Sequence, residues 1–437
     1  MDRYSSYKDS GVEWIGEIPK HWILKGLRFS FKINKGKIPK TLFDKRGDNM
    51  LPYLSMDVLR NNPPKEFSNQ DDGLFVRKGE IGILWDGSNS GEIISINQDG
   101  ILSSTVSRLG ISDSKLNKEF SYYILKFYEK DFKENTIGMG IPHMDGNHLK
   151  FSKIILPPIT EQQQIVSFLD TKTLLIDSLI EKTQRKIELL KEKRTSLINE
   201  VVTKGLNPNV DMKDSGVEWI GEIPNHWFVI KIKYVTNQVV DGTHFTPTYT
   251  DSGVPFLRVT DIQTEKINLD KVKFISQEEH EVLIKRCNPQ KGDILLSKNG
   301  TIGITKVVDW DWEFSVFVSL CLIKFKPNFN PHLFSYFFES DIVNQQVSDS
   351  SKKTSVTNLH LDKIRELKLI QPPVQEQEQI IEYMDGQTQL IDNTISIEEK
   401  KIDTLKEYRQ SLISEVVTGK IRVCEEDNSL SLNSQTV

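Results

Sequence analysis

Cysteine is scarce. The 437 residues hold three, Cys287, Cys321 and Cys424, too far apart for a Cys-x-x-Cys metal knuckle and too few for a disulfide framework. Such usage fits a reducing cytoplasm, the expected location. No apolar run approaches the roughly 20 residues needed to cross a bilayer. The first residues, MDRYSSYKDSGVEW, contain no apolar stretch of the kind a secretory signal carries. The eight histidines show no His-Glu-x-x-His or other metal spacing, so no metal site is expected. A phosphate-cradling Gly-x-x-x-x-Gly-Lys-Ser/Thr loop is missing too, which excludes a nucleotide-driven motor. An adenine methyltransferase needs a glycine-rich cofactor loop and an Asp/Asn-Pro-Pro-aromatic motif to hold a flipped base. Asn62-Pro63-Pro64 is followed by Lys65, which has no aromatic face to offer. The net charge of −5 does not mark out a nucleic-acid binder, although phosphate contacts depend on local charge and not on the sum.

What the chain does have is itself, twice. Lys8 to Trp22 reads KDSGVEWIGEIPKHW and Lys213 to Trp227 reads KDSGVEWIGEIPNHW, fourteen of fifteen positions being identical. A second pair of segments repeats as well: Leu156 to Leu206, beginning LPPITEQQQIV, is echoed by Gln371 to Ile421, beginning QPPVQEQEQII. Between them lie two blocks, 23–155 and 228–370, that barely resemble each other. The order is therefore a repeated arm (1–22), a variable block (23–155), a helical segment (156–206), the arm again (207–227), a second variable block (228–370) and a second helical segment (371–421). The polar, aperiodic tail (422–437) is expected to be disordered.

The helical segments carry a seam. Ile176, Ile180, Ile187, Leu190, Leu197 and Val201 alternate by four and three, and Ile391, Ile395, Ile402, Leu405, Leu412 and Val416 follow at the same places 215 residues later. The polar interruptions also correspond, Thr183 with Glu398 and Arg194 with Arg409. Pro157-Pro158 and Pro372-Pro373 mark the helix starts, with Thr160 and Gln163 at capping-box spacing and Gln375 at the second cap. Gly205 and Gly419 mark the ends.

The variable blocks are rich in aromatic and β-branched residues and broken by Asp86-Gly87, Asp99-Gly100, Asp145-Gly146 and Asn299-Gly300. Each reads as a mixed α/β domain, with Lys78-Gly79-Glu80-Ile81 and Lys291-Gly292-Asp293-Ile294 each leading a strand into a hairpin. The two blocks are expected to share a fold and to differ in what their loops contact. Each seam needs a partner, and the simplest is the other seam, paired antiparallel about a pseudo-twofold axis. A seam from Ile176 to Val201 spans about 38 Å at 1.5 Å per residue, against roughly 34–36 Å for one turn of B-DNA. A duplex addressed at that spacing by two unlike domains would be read at an asymmetric, split site. The bland alternative is a coiled-coil adaptor with two protein-binding domains.

With these residues in view, the chain resembles the specificity subunit of a Type I restriction–modification system over essentially 1–421. The resemblance is carried by SGVEWIGEIPKHW (10–22) and its copy (215–227), LPPITEQ (156–162) and QPPVQEQ (371–377), and the long helices after them. In the second block DGTHFTPTY (241–249), GVPFLRVTDI (253–262) and GDILLSKNGTIG (292–303) carry it too. It implies a mixed α/β fold with two target recognition domains separated by two long antiparallel helices. It also implies a non-catalytic subunit that reads a bipartite site in double-stranded DNA, docks two modification subunits and is joined by motor–nuclease subunits. S-adenosylmethionine, ATP and Mg2+ would then be used by those partners and none bound by this chain.

Base and phosphate contacts call for Lys, Arg, Asn, Ser, Thr or His on loops that reach a groove. In the first block the candidates are Lys35, Lys37, Lys40, Ser88, Asn89, His143, Asn147 and Lys150. In the second they are Thr243, His244, Arg258, Lys298, Asn299 and Thr301, with Lys352, Lys353 and Thr357 on a basic, hydroxyl-rich late loop. His21, Trp22, His226 and Trp227 sit inside the repeated arm and are expected to pack it on helix ends.

Overall fold

The computed structural model describes residues 3–138, 140–264, 266–351 and 358–423, without the side chains of 348–351. It divides into two compact units, one made of 1–183 with 400–437 and the other of 184–399. Two long helices, Ile159–Lys204 and Val374–Val417, contribute to both.

In the first unit, a four-stranded antiparallel sheet runs in the order Phe31–Lys35, Val106–Ile111, Ile81–Leu84, Ile93–Ser95. In the second unit the order is Thr236–Asp241, Leu320–Phe325, Ile294–Ser297, Thr305–Val307, the same path through the sheet. A second sheet in each holds a parallel pair, Met50–Leu54 with Gly100–Leu102 and Val254–Leu257 with Ser315–Val316, but its edges differ. The variable blocks do share a fold, and the two hairpins expected after Ile81 and Ile294 are present.

Each sheet is covered by a helix that the sequence starts with asparagine. The Asn117 side chain accepts from Phe120 N, and Asn330 accepts from His332 N ahead of Pro331 at the first helical position. Phe120, Ile124, Tyr128 and Phe132 of Lys118–Glu134 are buried with Ile81, Ile83 and Leu109 of the sheet. Leu333, Phe334 and Phe337 of Pro331–Glu339 do the same with Ile294, Leu296 and Ile323.

Within each unit the two long helices pack antiparallel. In the first, Asp177 pairs with Arg409, while Ile165, Phe168 and Ile176 join Leu412 and Val416 in one core. In the second, Lys186 pairs with Glu398 and Arg194 with Asp392. Asp177–Arg409 and Asp392–Arg194 are the same pair 215 residues apart. Their side chains are a quarter to a half exposed, so each contributes at most about 1 kcal/mol. Burying a Leu or Val of the seam contributes about 1.5–3 kcal/mol. The apolar seam therefore supplies the stability, and the ion pairs set the register.

The helix starts come two residues earlier than expected. The first helix begins at Ile159, so Thr160 lies inside its first turn and caps nothing. Fully buried Gln162 ties this turn down instead. Its Oε1 accepts from Asn117 N at 2.8 Å, and its Nε2 donates to Lys115 O and Pro157 O. Gln377 repeats this with Asn330 N, Asn328 O and Pro372 O. About two turns further along each long helix, Tyr123 Oη donates to Asp170 and Tyr336 Oη to Asp385. Each domain helix is thus fixed to its long helix by a matched glutamine and a matched tyrosine.

The arms fold over the helix ends. Gly205 and Gly419 both have positive φ, 73° and 72°. A Cβ at Gly205 would lie 2.9 Å from the Trp227 ring, and one at Gly419 would lie 2.4 Å from Pro19 and 3.0 Å from Trp22. Both tryptophans are fully buried. Trp22→Ala is expected to lower the local stability of the first unit by about 3–5 kcal/mol, and Arg409→Ala by less than about 1 kcal/mol. Hydrogen exchange of backbone amides in residues 159–183 and 405–418 measures both.

Candidate nucleic-acid interface

Part of the candidate set meets at one end of the four-stranded sheets, where three segments come together in each unit: Lys35 and His143 in the first, Lys298 and Asn299 in the second. In the first, strand Phe31–Lys35 runs into Gly36, whose added Cβ would strike Ser103 O at 2.1 Å. Strand Ile81–Leu84 runs into Trp85, Asp86 and Gly87, the last at φ 120°. His143 arrives on a short hairpin and forms an isolated β-bridge with Asp86. The side chains close a cluster: Lys35 Nζ lies 2.9 Å from Asp86 Oδ2 and 5.8 Å from the Trp85 ring centroid, and His143 Nδ1 lies 2.7 Å from Asp86 Oδ1. Burial pushes the Asp86 carboxyl up, but the bonds and charges of His143 and Lys35 outweigh it and hold it below the ordinary range.

Of the other first-unit candidates, Ser88 and Asn89 are exposed on the loop after Asp86, and Lys37 and Lys40 are exposed beyond Gly36. Asp145-Gly146 is not a free turn. Asp145 caps a short helix, Gly146–Phe151, by accepting from Asn147 N and His148 N. Asn147 and Lys150 lie exposed on that helix.

The second unit has the same backbone junction. Gly242 follows strand Thr236–Asp241, and its added Cβ would strike Val316 O at 2.0 Å. Lys298 N donates to Ser319 O at 2.9 Å as Trp85 N does to Thr105 O at 2.7 Å, and Leu359 N donates to Lys298 O as Met144 N does to Trp85 O. Asn299 bridges Asn358 as Asp86 bridges His143. Four positions therefore correspond: Lys35 with Asp241, Trp85 with Lys298, Asp86 with Asn299, and His143 with Asn358.

The chemistry there is different. Lys298 and Asp241 are both buried, with Nζ 3.2 Å from Oδ2, and Asp241 also takes His244 Nε2 at 3.2 Å and Arg286. Burial raises the Asp241 carboxyl, and the stronger opposing pull of Lys298 and His244 holds it low. Asp241, His244, Lys298, Asn299, Asn358 and His360 line one open cleft. Thr301 is exposed at the hairpin tip, and Thr243 is buried with its Oγ1 turned to Phe245 O. Arg258 lies two strands over, held by Asp261 at 3.2 and 3.3 Å. Lys352, Lys353 and Thr357 fall outside the described residues. Asp86, Asp241 and Asn358 were not among the sequence candidates. The match of DGS at 86–88 with NGT at 299–301 was the signal that pointed to the first of these positions.

Cys287 and Cys321 are free and buried, and burial pushes the Cys287 thiol up to about 12. Among the described residues no group of three or more His, Cys, Asp or Glu side chains is placed to hold a metal ion.

Asp241→Asn would leave the Lys298 ammonium buried beside a neutral partner and is expected to destabilise the second unit by about 3–5 kcal/mol at pH 7. The Asp241 carboxyl is held below its unfolded value, so its contribution is present above about pH 4 and is lost as pH falls further. The difference in melting temperature between the variant and the unaltered chain should therefore shrink below pH 4.

The comparisons fit this picture. The family model for the Type I restriction modification DNA specificity domain matches residues 24–190 and 224–407. The specificity subunit of the Type I restriction enzyme MjaVIII of Methanocaldococcus jannaschii is 29% identical over 93% of this chain and 94% of its own length. That of EcoBI of Escherichia coli is 24% identical over 87% of this chain and 81% of its own. A chain from a solved type I restriction–modification system, 16% identical, shares the fold with a TM-score of 0.69 over 92% of this chain and 99% of its own. Two matched domains, each set on a repeated arm and a long helix, place this chain in the Type I restriction–modification DNA specificity family.

Proposed function

We propose that this chain is the DNA-sequence-recognition subunit of a Type I restriction–modification complex, each unit reading one half of an asymmetric, bipartite site. One observation carries the reading. An equivalent backbone junction at the end of equivalent sheets holds Lys, Trp, Asp and His in one unit and Asp, Lys, Asn and Asn in the other. Equivalent junctions with unlike polar groups suit two unlike half-sites. The adaptor reading is not favoured, because the family match extends over both variable blocks.

The chain itself does no chemistry in this scheme. Two modification subunits supply adenine methylation with S-adenosylmethionine, and motor–nuclease subunits use ATP and Mg2+ for cleavage. Leu174 and Leu175 on the first long helix, 69% and 58% exposed, and Leu390 and Ile397 on the second, 62% and 64%, support docking of the modification subunits on outer helix faces. No helix among the described residues is long and apolar enough to cross a membrane, and the complex is assigned to the cytoplasm with its DNA. The paired helices set the distance between half-sites.

Single-molecule sequencing of methylated adenine, in cells carrying the chain with its partner subunits and in cells lacking only this chain, tests the reading. A split motif lost on deletion is expected. Methylation that persists unchanged without the chain overturns it. Inserting one heptad in each long helix lengthens the pair by about 10 Å and should widen the spacer by about three base pairs, leaving both half-sites as they were.

A further inference from the structure

The four corresponding positions can be read further, on the footing that the chain recognises DNA as proposed above. In the first unit both oxygens of Asp86 are taken, Oδ1 by His143 Nδ1 and Oδ2 by Lys35 Nζ. Each Asp86 oxygen gives a lone pair to one of these donors and fixes it in place, so Asp86 acts as a positioning residue. The cluster turns outward the remaining Lys35 N–H groups and, beside them, the far nitrogen of His143, which donates when the ring carries a proton on both nitrogens. Both side chains are about half exposed, against a quarter for Asp86. A surface that offers donors at a fixed place selects a base edge that offers acceptors. In the major groove that edge is guanine, with O6 and N7 side by side.

The second unit offers the opposite pattern. Lys298 stands where Trp85 stands, but it is buried against Asp241 and takes no part in reading. Asn299 and Asn358 occupy the places of Asp86 and His143, partly exposed on the cleft. Asn299 Oδ1 and Asn358 Oδ1 both point into the protein and are buried, and among the described residues neither accepts a hydrogen bond. Turning either amide outward therefore breaks no bond at its oxygen. An amide presents an acceptor and a donor together, the complement of adenine N6 and N7.

We infer that these positions are the base-discriminating set of the two domains: Lys35 and His143, held on Asp86, read a guanine in one half-site, and Asn299 with Asn358 reads an adenine at the corresponding place in the other. The main-chain bonds of Trp85 and Met144 match those of Lys298 and Leu359, so the difference in side chains at these positions carries the choice of base.

The test uses the chain in complex with its modification subunits and a panel of duplexes carrying each single base-pair change in the methylated motif. Asn299→Ala and Asn358→Ala should reduce the preference for the cognate duplex from roughly 10–100-fold to near unity at one A·T pair of one half-site, with the other positions unchanged. Lys35→Met and Asp86→Asn should do the same at one G·C pair of the other half-site, while Lys35→Arg keeps the preference. Loss of affinity that is equal across every duplex, or preferences that do not change, overturns the assignment. If an alanine variant does not assemble, Asn299→Asp, which keeps the shape and removes the donor, decides between the same two outcomes. A failure of the underlying reading looks different, because the unaltered complex would then bind every duplex alike.

Discussion

A single carboxylate at the start of each long helix holds the framework together. Glu161 accepts from His21 Nε2 at 2.7 Å and Trp22 Nε1 at 3.0 Å, and Glu376 accepts from His226 at 2.6 Å and Trp227 at 2.9 Å. The indole it holds is buried against the glycine that ends the other long helix of the same unit. One residue further on, Gln162 or Gln377 ties the same helical turn to the start of the domain helix. Arm, both helix ends and domain therefore meet within one turn. Burial alone would raise the Glu161 carboxyl, and its bonds from Trp22, His21 and Tyr4 keep it low and ionised. A charged acceptor makes stronger bonds to N–H groups than a neutral one, which explains why a glutamate, and not a second glutamine, fills the position twice.

This clamp also explains what could be read from the sequence. The near-identity of the arms, and the Glu-Gln shared by ITEQ (159–162) and VQEQ (374–377), record polar contacts that only those residues make, so the contacts appear as repeated letters. The seam was legible for a related reason. Ile176, Ile187, Ile391 and Ile402 recur at a spacing that only a helix turns to one side, and all four are buried. Even Thr183 and Glu398 were legible as seam positions, because their apolar neighbours gave the phase.

The site was less legible because its partners are remote in sequence. Asp86 and His143 are 57 residues apart, and Lys35 is 51 from Asp86. Polarity in a loop says that a side chain can meet water, and it does not say whether a neighbour has already claimed it. Lys298 is the clearest case. It reads as a free cation beside a turn, but the sheet buries it against Asp241, fifty-seven residues earlier. Arg258 is spoken for by Asp261 three residues on. Asp145 looked like a turn residue and proved to be a helix cap, since an aspartate before a glycine serves both.

The backbone of the junction shows why such a site can change its chemistry without losing its shape. The loops are held by main-chain bonds: Trp85 N to Thr105 O, Met144 N to Trp85 O, Lys298 N to Ser319 O and Leu359 N to Lys298 O. None of these depends on which side chain stands there. The two glycines are the exception that fixes the rest. Gly36 and Gly242 each sit so close to a carbonyl that any Cβ would force the strands apart. Side chains at the four neighbouring positions carry none of that load. Substitution there changes which hydrogen-bonding groups face outward and costs the fold little, apart from the buried pair Asp241–Lys298, which must change together. A framework built from repeated, mutually dependent contacts, surrounding a few positions on which no backbone contact depends, is the arrangement in which two copies of one fold can come to read two different sequences.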